Sequence, residues 1–239
     1  PKEELGVDDQ INYDVFRYVI QDRYDRLRLR MYLIPFNAEG GFYNRLTRLQ
    51  ERYDFNEVED LEAYEERLAA YPAYMRDNIA LLRIGMESGM VAPRLIAENY
   101  AVLIQPFMES NLDSNLLFQP YLDLPDGFPE REKWVTRGKS LLQDSIIPIY
   151  EIFDAFMQAS YIPACREEIG ISKVPGGKEI YEQRIAFFTS LDMTPEDVFQ
   201  KGQTEVARIR AEMEAIIDEV GFEGSYADFL DFLRTDEQF

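Results

Sequence analysis

The fold class is decided by residues 194–221, which read TPEDVFQKGQTEVARIRAEMEAIIDEVG. Thr194 is a preferred N-cap, Pro195 suits the first helical position, and the two acids that follow suit the positive end of a helix dipole. Apolar side chains then recur at steps of three and four, at Val206, Ile209, Met213, Ile216 and Val220. Gly221 is a typical helix stop. Start, face and end agree, so this stretch predicts one long amphipathic helix.

Helical spacing continues towards both ends of the chain. A stripe closed by Pro35 predicts one buried helix face, formed by Tyr13, Phe16, Ile20, Tyr24, Leu27, Met31 and Ile34. A second helix is predicted from Phe42 to about Tyr53, and others around residues 75–86, 96–107, 131–160 and 180–191, with a kink or short break at Pro148. The last helix, capped by Ser225, is predicted to bury Phe229, Phe232 and Leu233.

No segment alternates with period 2 and no βαβ spacing occurs, so the chain is predicted to be all-α. The expected architecture is an irregular multi-helix bundle, either in one piece or as two packed helical subdomains. Residues 111–129 mark the candidate break, because they combine three prolines and a glycine with too many apolar residues for a solvated linker. The chain starts Pro1-Lys2-Glu3, with neither an initiator Met nor a signal peptide. Residues 1–239 are therefore predicted to be a single all-helical region excised from a larger protein.

Composition excludes several classes of function. The 239 residues include 25 basic and 45 acidic side chains, which give a formal net charge of −20. Nucleic acid and anionic membrane surfaces both require positive surface, so neither is an expected partner. No run approaches the ~18 apolar residues of a membrane span.

Catalytic and metal-binding residues are equally scarce. Histidine is absent, so H-E-x-x-H zinc sites, Ser-His-Asp triads and Cys-His dyads are excluded for this chain acting alone. Cys165 is the only cysteine and is predicted to be a partly buried, inert thiol, although Arg166 beside it would favour a thiolate. No catalytic, cofactor-binding or metal-ligating residue is therefore predicted here.

Three charged or glycine-rich patterns have a functional and a structural interpretation. Gly176-Gly177-Lys178 lacks the first glycine, the Ser/Thr and the preceding strand of a phosphate loop, so a turn into a helix is favoured. The acidic residues 57–66 lack an EF-hand pattern and indicate a solvated helix face. Arg23, Arg26 and Arg30 are either an anion site or, as favoured here, a helix flank paired with nearby acids.

Motifs from Tyr161 onwards resemble one bacterial family. They are Tyr161-Ile162-Pro163 with Arg166 and Gly170, Val174-Pro175-Gly176-Gly177 with Tyr181, Leu191-Asp192-Met193-Thr194-Pro195-Glu196, and Gly221-Phe222-Glu223-Gly224-Ser225 followed by Phe229, Leu233-Arg234-Thr235-Asp236 and Phe239. In this order and spacing they resemble the bacterial proteins of domain-of-unknown-function family 885. Residues 62–68 and 85–93 fit the family more loosely, so the resemblance spans most of the chain.

The resemblance implies a large, almost wholly helical protein that is often exported and in some members lipid-anchored. It also implies a likeness to zinc metallopeptidases of the H-E-x-x-H type, whose zinc motif lies downstream of residues 233–236 in this family. Zinc is therefore expected in a C-terminal part outside this chain, and no cofactor is expected within it. The implied location is the periplasm or another extracytoplasmic compartment.

Two functions from different classes remain open. In the first, the chain is the non-catalytic helical half of the metallopeptidase-like protein, and Tyr161, Arg166, Tyr181 and the turn Pro175-Gly176-Gly177 line the cleft or brace the other half. Its partners would be that half, a second copy through exposed apolar surface, and a peptide substrate of the whole protein. In the second, the chain is a self-contained helical module whose interhelical groove binds a peptide or small acid. Ordinary packing of these six residues is the structural alternative.

Overall fold

The computed structural model describes residues 2–238, and within them the chain is almost wholly helical, which confirms the all-α prediction. The helices are α1 Val7–Arg28, α2 Val58–Ser88, α3 Arg94–Ala97, α4 Tyr100–Met108, α5 Gln119–Leu122, α6 Arg131–Leu141, α7 Ile147–Phe156, α8 Ile162–Ala164, α9 Gly177–Thr189, α10 Pro195–Glu219 and α11 Tyr226–Thr235. One small antiparallel pair, β1 Phe36–Asn37 with β2 Gly40–Gly41, forms a hairpin.

The chain divides into two compact units, the first ending at Ile180 and the second beginning at Tyr181. The division thus falls well after residues 111–129, the candidate break. That segment lies inside the first unit, where its apolar side chains join the main core: Leu112, Leu117, Phe118, Tyr121, Leu124 and Phe128. Its prolines and glycine set the path of the backbone, while burial of these side chains keeps it in the unit.

The centre of the first unit is a cluster of aromatic rings around Phe153 on α7. Its ring centroid lies 5.3 Å from that of Phe42, 5.4 Å from Tyr43 and 5.6 Å from Tyr100. All four side chains are buried. Edge-to-face and stacked contacts of this kind add to the hydrophobic stabilisation of the core.

The prediction of a helix from Phe42 to about Tyr53 is wrong. The structure has two short 3₁₀ turns there, Phe42–Asn44 and Gln50–Arg52. Tyrosine hydroxyls explain part of the difference, because Tyr71 donates to the Phe42 carbonyl and Tyr150 to the Tyr43 carbonyl, each at 2.8 Å. These carbonyls bond to long-range donors in the core, an interaction that local spacing does not reveal.

A nearly continuous helical run extends from α6 to α8 and contains two π-helical segments, Leu142–Ile146 and Met157–Tyr161. Each segment is followed within two residues by a proline, Pro148 or Pro163. Proline has no N–H to donate and its ring clashes with the carbonyl four residues earlier, so the wider π turn accommodates it. The break predicted at Pro148 takes this form.

The apolar stripe of α1 is exposed, which corrects the prediction of a buried face. Asp22 is the only buried residue of α1, and Phe16 and Leu27 are 67% and 64% exposed. The helix also ends at Arg28, before Met31 and Ile34. The elements it chiefly packs against are the short 3₁₀ turns next to it in the chain, Lys2–Glu4 and Met31–Leu33. Periodicity predicts a face that needs a partner, but it does not locate that partner.

Of the three arginines near α1, Arg26 lies 4.0 Å from the Asp22 carboxylate, as expected for a paired flank. Arg30 lies beyond the end of the helix with a left-handed backbone (φ 54°), so it does not share a helical face with Arg23 and Arg26.

The second unit contains the two predicted helix starts. Thr194 Oγ1 accepts from the Asp197 N–H at 3.1 Å, and the Asp197 carboxylate accepts from the Thr194 N–H at 2.9 Å. Ser225 and Asp228 repeat this capping box on α11. Phe222, Phe229 and Phe232 pack together, but Phe229 and Phe232 are only partly buried and Leu233 is exposed, so the prediction that α11 buries Phe229, Phe232 and Leu233 is wrong. Most of the α10 stripe is exposed as well, including Val206, Ile209, Ile216 and Val220.

Candidate functional site

Three of the six residues singled out by the family resemblance lie against one segment, residues 89–94: Tyr161, Arg166 and Pro175. Tyr161 is fully buried, and its hydroxyl accepts a hydrogen bond from the Ala92 N–H at 3.1 Å. Its ring contacts Phe36 and Phe156, at centroid distances of 5.8 and 6.2 Å. Burial raises the pKa of Tyr161 well above its usual range, so the hydroxyl is neutral. Tyr161 therefore acts as a buried anchor for the segment.

Arg166 holds the same segment by both its side chain and its backbone. Its Nε donates to the Val91 carbonyl at 3.2 Å, and its own carbonyl accepts from the Arg94 N–H at 2.8 Å. Its Nη1 donates to the Gly170 carbonyl at 2.9 Å and also to the Glu168 carbonyl. Partial burial lowers the pKa of Arg166. The guanidinium is thus committed to backbone carbonyls.

Pro175, Gly176 and Gly177 form the predicted turn into a helix, α9. Gly176 has a positive φ of 70°, and the Gly177 N–H donates to the Val174 carbonyl at 2.9 Å. A Cβ on Gly177 would lie 1.9 Å from the Ile171 carbonyl oxygen, so only glycine fits there. A Cβ on Gly89 would be 3.5 Å from Pro175, which places this turn at the start of residues 89–94.

Tyr181 and Cys165 complete the predicted set. Tyr181 is the first residue of the second unit, and 47% of its side chain is exposed. Cys165 is buried, and burial raises the pKa of its thiol to about 11, which favours the neutral thiol that was predicted to be inert. Arg94 and Arg166 act in the opposite direction on that pKa, but burial dominates.

A groove that the sequence did not reveal lies between α2 and α6, with a volume of about 590 Å³. Its polar lining is Glu62, Glu65, Glu66, Thr136, Arg137 and Ser140. Glu65 is buried, and its Oε2 lies 2.6 Å from Arg137 Nη2. The Tyr121 hydroxyl points to Glu65 Oε1 at 3.4 Å, and the Arg137 guanidinium lies 4.5 Å from the centre of the Trp134 ring.

The balance of interactions at Glu65 favours protonation. Burial raises the pKa of Glu65, while Arg137 and the Tyr121 hydroxyl lower it by less. A carboxyl group with a raised pKa, at the edge of a groove and beside a hydroxyl, has the features of a proton donor or of a site for polar ligands. One signal was present in the sequence, since Glu65 lies on the same helical face as Leu61 and Leu68, where a charge is unusual.

Arg137→Met is expected to lower the free energy of unfolding by about 2 kcal/mol at neutral pH, because Glu65 would remain buried without its cation. Glu65→Gln is expected to lower the free energy of unfolding by less than about 1 kcal/mol, because glutamine carries no charge and so has no buried charge to desolvate. Because the pKa of Glu65 is raised in the folded protein, acidification neutralises this carboxyl at a higher pH than in the unfolded chain, so the cost of Arg137→Met should shrink as the pH falls.

Urea unfolding at neutral and mildly acidic pH measures both effects, and Arg76→Met, at an exposed arginine of α2, the helix that carries Glu65, is the control. Equal costs for Arg137→Met and Arg76→Met would contradict the importance of this ion pair.

Metal-binding clusters and membrane helices are both missing from the described part of the chain. Among residues 2–238, no cluster of three or more His, Cys, Asp or Glu side chains is arranged to hold a metal ion. Over the same residues, none of the helices has the length and apolarity that a membrane span requires.

The comparisons with known proteins give a family and a fold. A family model described as "Bacterial protein of unknown function (DUF885)" matches residues 1–239. A similar solved fold is the crystal structure of "the putative lipoprotein from Colwellia psychrerythraea", with a TM-score of 0.77 and 17% identity. The match covers 86% of this chain and 37% of that one, so this chain spans little more than a third of that protein's length. No relative was found among curated proteins.

Proposed function

We propose that this chain, which belongs to the DUF885 family of bacterial proteins of unknown function, is the non-catalytic helical part of an exported, zinc metallopeptidase-like protein. In this proposal it forms one wall of the substrate cleft, while zinc and its ligands belong to another part of the parent protein. The absence of histidine supports this division of roles, because H-E-x-x-H chemistry needs ligands that residues 1–239 do not contain.

The observation that carries the proposal is the uncovered apolar face of α1. Its exposed apolar side chains form two rows at helical spacing, one of Tyr13, Phe16, Ile20, Tyr24 and Leu27 and the other of Val7, Ile11, Val15 and Val19. Scattered exposed apolar residues are normal, but a continuous stripe along a helix of 22 residues is typical of an interface. We therefore assign this face to the contact with the rest of the parent protein.

Residues that resemble the family motifs would serve the proposed wall indirectly. Tyr161 and Arg166 hold residues 89–94 in place through hydrogen bonds with the backbone of that segment, and the ring of Pro175 lies beside Gly89. A cleft wall needs such rigid support, because binding groups must stay within a fraction of an ångström of their productive positions. We assign these residues a bracing role and not a catalytic one.

Extracytoplasmic location is part of the same proposal. The family resemblance supports it, and so does the similar fold of the protein described as a "putative lipoprotein". Peptides are the proposed substrates of the whole protein.

The direct test is the coding sequence beyond the codon for Phe239. An H-E-x-x-H motif further along the frame would support the proposal, and zinc analysis of the full-length protein would follow. A stop codon at that point would overturn it and leave the alternative, a self-contained helical binding module, which the groove beside Glu65 favours.

A second test uses the apolar face itself. The isolated chain is expected to bind a hydrophobic dye and to self-associate, whereas the full-length protein should do neither through this face. Phe16→Glu combined with Leu27→Lys should reduce both signals several-fold. The matched control is Ile152→Glu on α7, an exposed residue outside the stripe. If the isolated chain is monomeric and does not bind the dye, the assignment of this face to an interface is contradicted.

A further inference from the structure

A second groove in the first unit, of about 380 Å³, is lined by three arginines and by no carboxylate. The arginines are Arg45, Arg52 and Arg67, and the remaining lining is Leu46, Leu49, Ala70, Tyr71 and Tyr74. The chain as a whole has 45 acidic and only 25 basic side chains. A groove with positive charge alone is therefore contrary to the composition and concentrates the cationic potential of this surface.

Local structure brings the two sides of the groove together. Arg67, Tyr71 and Tyr74 lie at positions i, i+4 and i+7 of α2 and so share one face of that helix. Arg45 and Arg52 come from the segment that contains the two 3₁₀ turns. The hydrogen bond from the Tyr71 hydroxyl to the Phe42 carbonyl, at 2.8 Å, joins this segment to α2. This bond holds the start of the segment, close to Arg45, against α2.

The three arginines are electrostatically available. Within residues 2–238, no carboxylate lies within ion-pair distance of Arg45, Arg52 or Arg67. Several other arginines of the chain are ion-paired, for example Arg137 with Glu65 at a nitrogen–oxygen distance of 2.6 Å and Arg94 with Glu167 at 2.7 Å. Arg45 instead lies over the Tyr74 ring, 5.9 Å from its centroid. All three guanidinium groups are exposed, while Leu46 and Leu49 beneath them are buried.

We propose that this groove binds a small organic carboxylate with an apolar body. The arginines would hold the carboxylate, because a guanidinium presents paired N–H donors that match two carboxylate oxygens. The body would lie on Leu46, Leu49 and the tyrosine rings, and the volume is within the range of small-ligand sites. This binding proposal does not depend on which of the two proposed functions is correct, because the groove is formed only by residues of the first unit.

Calorimetric titration of the chain with N-acetyl-leucine and N-acetyl-phenylalanine tests the proposal. The free acids should bind at least about tenfold more tightly than the corresponding amides, which keep the apolar body but lack the charge. Added salt should weaken the binding of the acids and leave that of the amides nearly unchanged. Inorganic phosphate should bind more weakly than either acid, because it does not use the apolar floor.

Substitutions then locate the site. Arg67→Met and Arg45→Met should each weaken binding of the acids about tenfold. Arg67→Lys should recover part of this loss, because lysine keeps the positive charge but lacks the paired N–H donors of the guanidinium. Arg76→Met removes an exposed arginine of α2 outside the groove and should change nothing. Circular dichroism of each variant verifies folding.

Three results would overturn the proposal. In the first, the acids and the amides bind with equal affinity, or neither binds. In the second, phosphate binds as tightly as the acids. The third is an Arg45→Met, Arg67→Met double variant that is folded and binds like the parent chain.

Discussion

Tyr161→Ala is expected to lower the free energy of unfolding of the first unit by about 4 kcal/mol. The substitution removes a fully buried ring that contacts Phe36 and Phe156, and the surrounding core can collapse only partly into the space. It also removes the hydroxyl that accepts from the Ala92 N–H. Tyr161→Phe isolates this second effect and should cost about 2 kcal/mol, the usual penalty for a buried donor without an acceptor.

The matched control is Tyr181→Ala, since Tyr181 belongs to the next of the family-like motifs but is exposed. It should change stability by less than about 0.5 kcal/mol. Urea unfolding monitored by circular dichroism compares the three variants. Similar losses for Tyr161→Ala and Tyr181→Ala would refute the idea that Tyr161 is the anchor of residues 89–94.

Gly177→Ala is expected to destabilise the first unit by about 3 kcal/mol. The new methyl group would meet the Ile171 carbonyl oxygen at 1.9 Å, and a backbone atom cannot rotate away as a flexible side chain can. Two hydrogen bonds hold that turn, from the Val174 N–H to the Ile171 carbonyl at 3.1 Å and from the Gly177 N–H to the Val174 carbonyl at 2.9 Å. The clash therefore has to be relieved by displacing the turn.

Gly176→Ala provides the comparison one residue away. Gly176 has a positive φ, but no atom lies within 4 Å of the place that an alanine methyl group would occupy. Alanine there should therefore cost only about 1 kcal/mol, from backbone strain. Thermal or urea unfolding of both variants separates the two mechanisms. If Gly176→Ala proved the more damaging change, the close approach at position 177 would not be the controlling feature.

Features that depend on a few neighbouring residues could be predicted from the sequence. The capping boxes that begin α10 and α11 are examples, because all of their donors and acceptors lie within three residues of Thr194 or Ser225. The turn at 175–177 and the break before Pro148 are local in the same sense. Helical periodicity likewise sufficed for the all-α class.

Features that depend on distant partners could not be predicted. The exposed face of α1 has the same periodicity as a buried one, and only the position of the other elements distinguishes them. The segment after Phe42 is non-helical where tyrosines from α2 and α7 bond to its carbonyls. Neither partner is close in the sequence.

The two candidate grooves illustrate the same limit. Glu65 pairs with Arg137, 72 positions further on (137 − 65), although its place on the Leu61–Leu68 face was a local signal of burial. Arg45, Arg52 and Arg67 match no motif, and they meet only because a 3₁₀ segment packs against α2. By contrast, the family resemblance identified Tyr161, Arg166 and Pro175, which lie against residues 89–94, without showing that their contacts are structural.

The two π-helical segments restrict how the length of this chain can vary. A π turn closes with one more residue than an α turn, so it absorbs a single insertion without rotating the helix beyond it. A homologue one residue shorter at Leu142–Ile146 could keep the inward faces of α6 and α7 in phase with a regular α-helix. Such a deletion would bring back the clash of Pro148 with the preceding turn, so we expect loss of the residue to accompany loss of the proline.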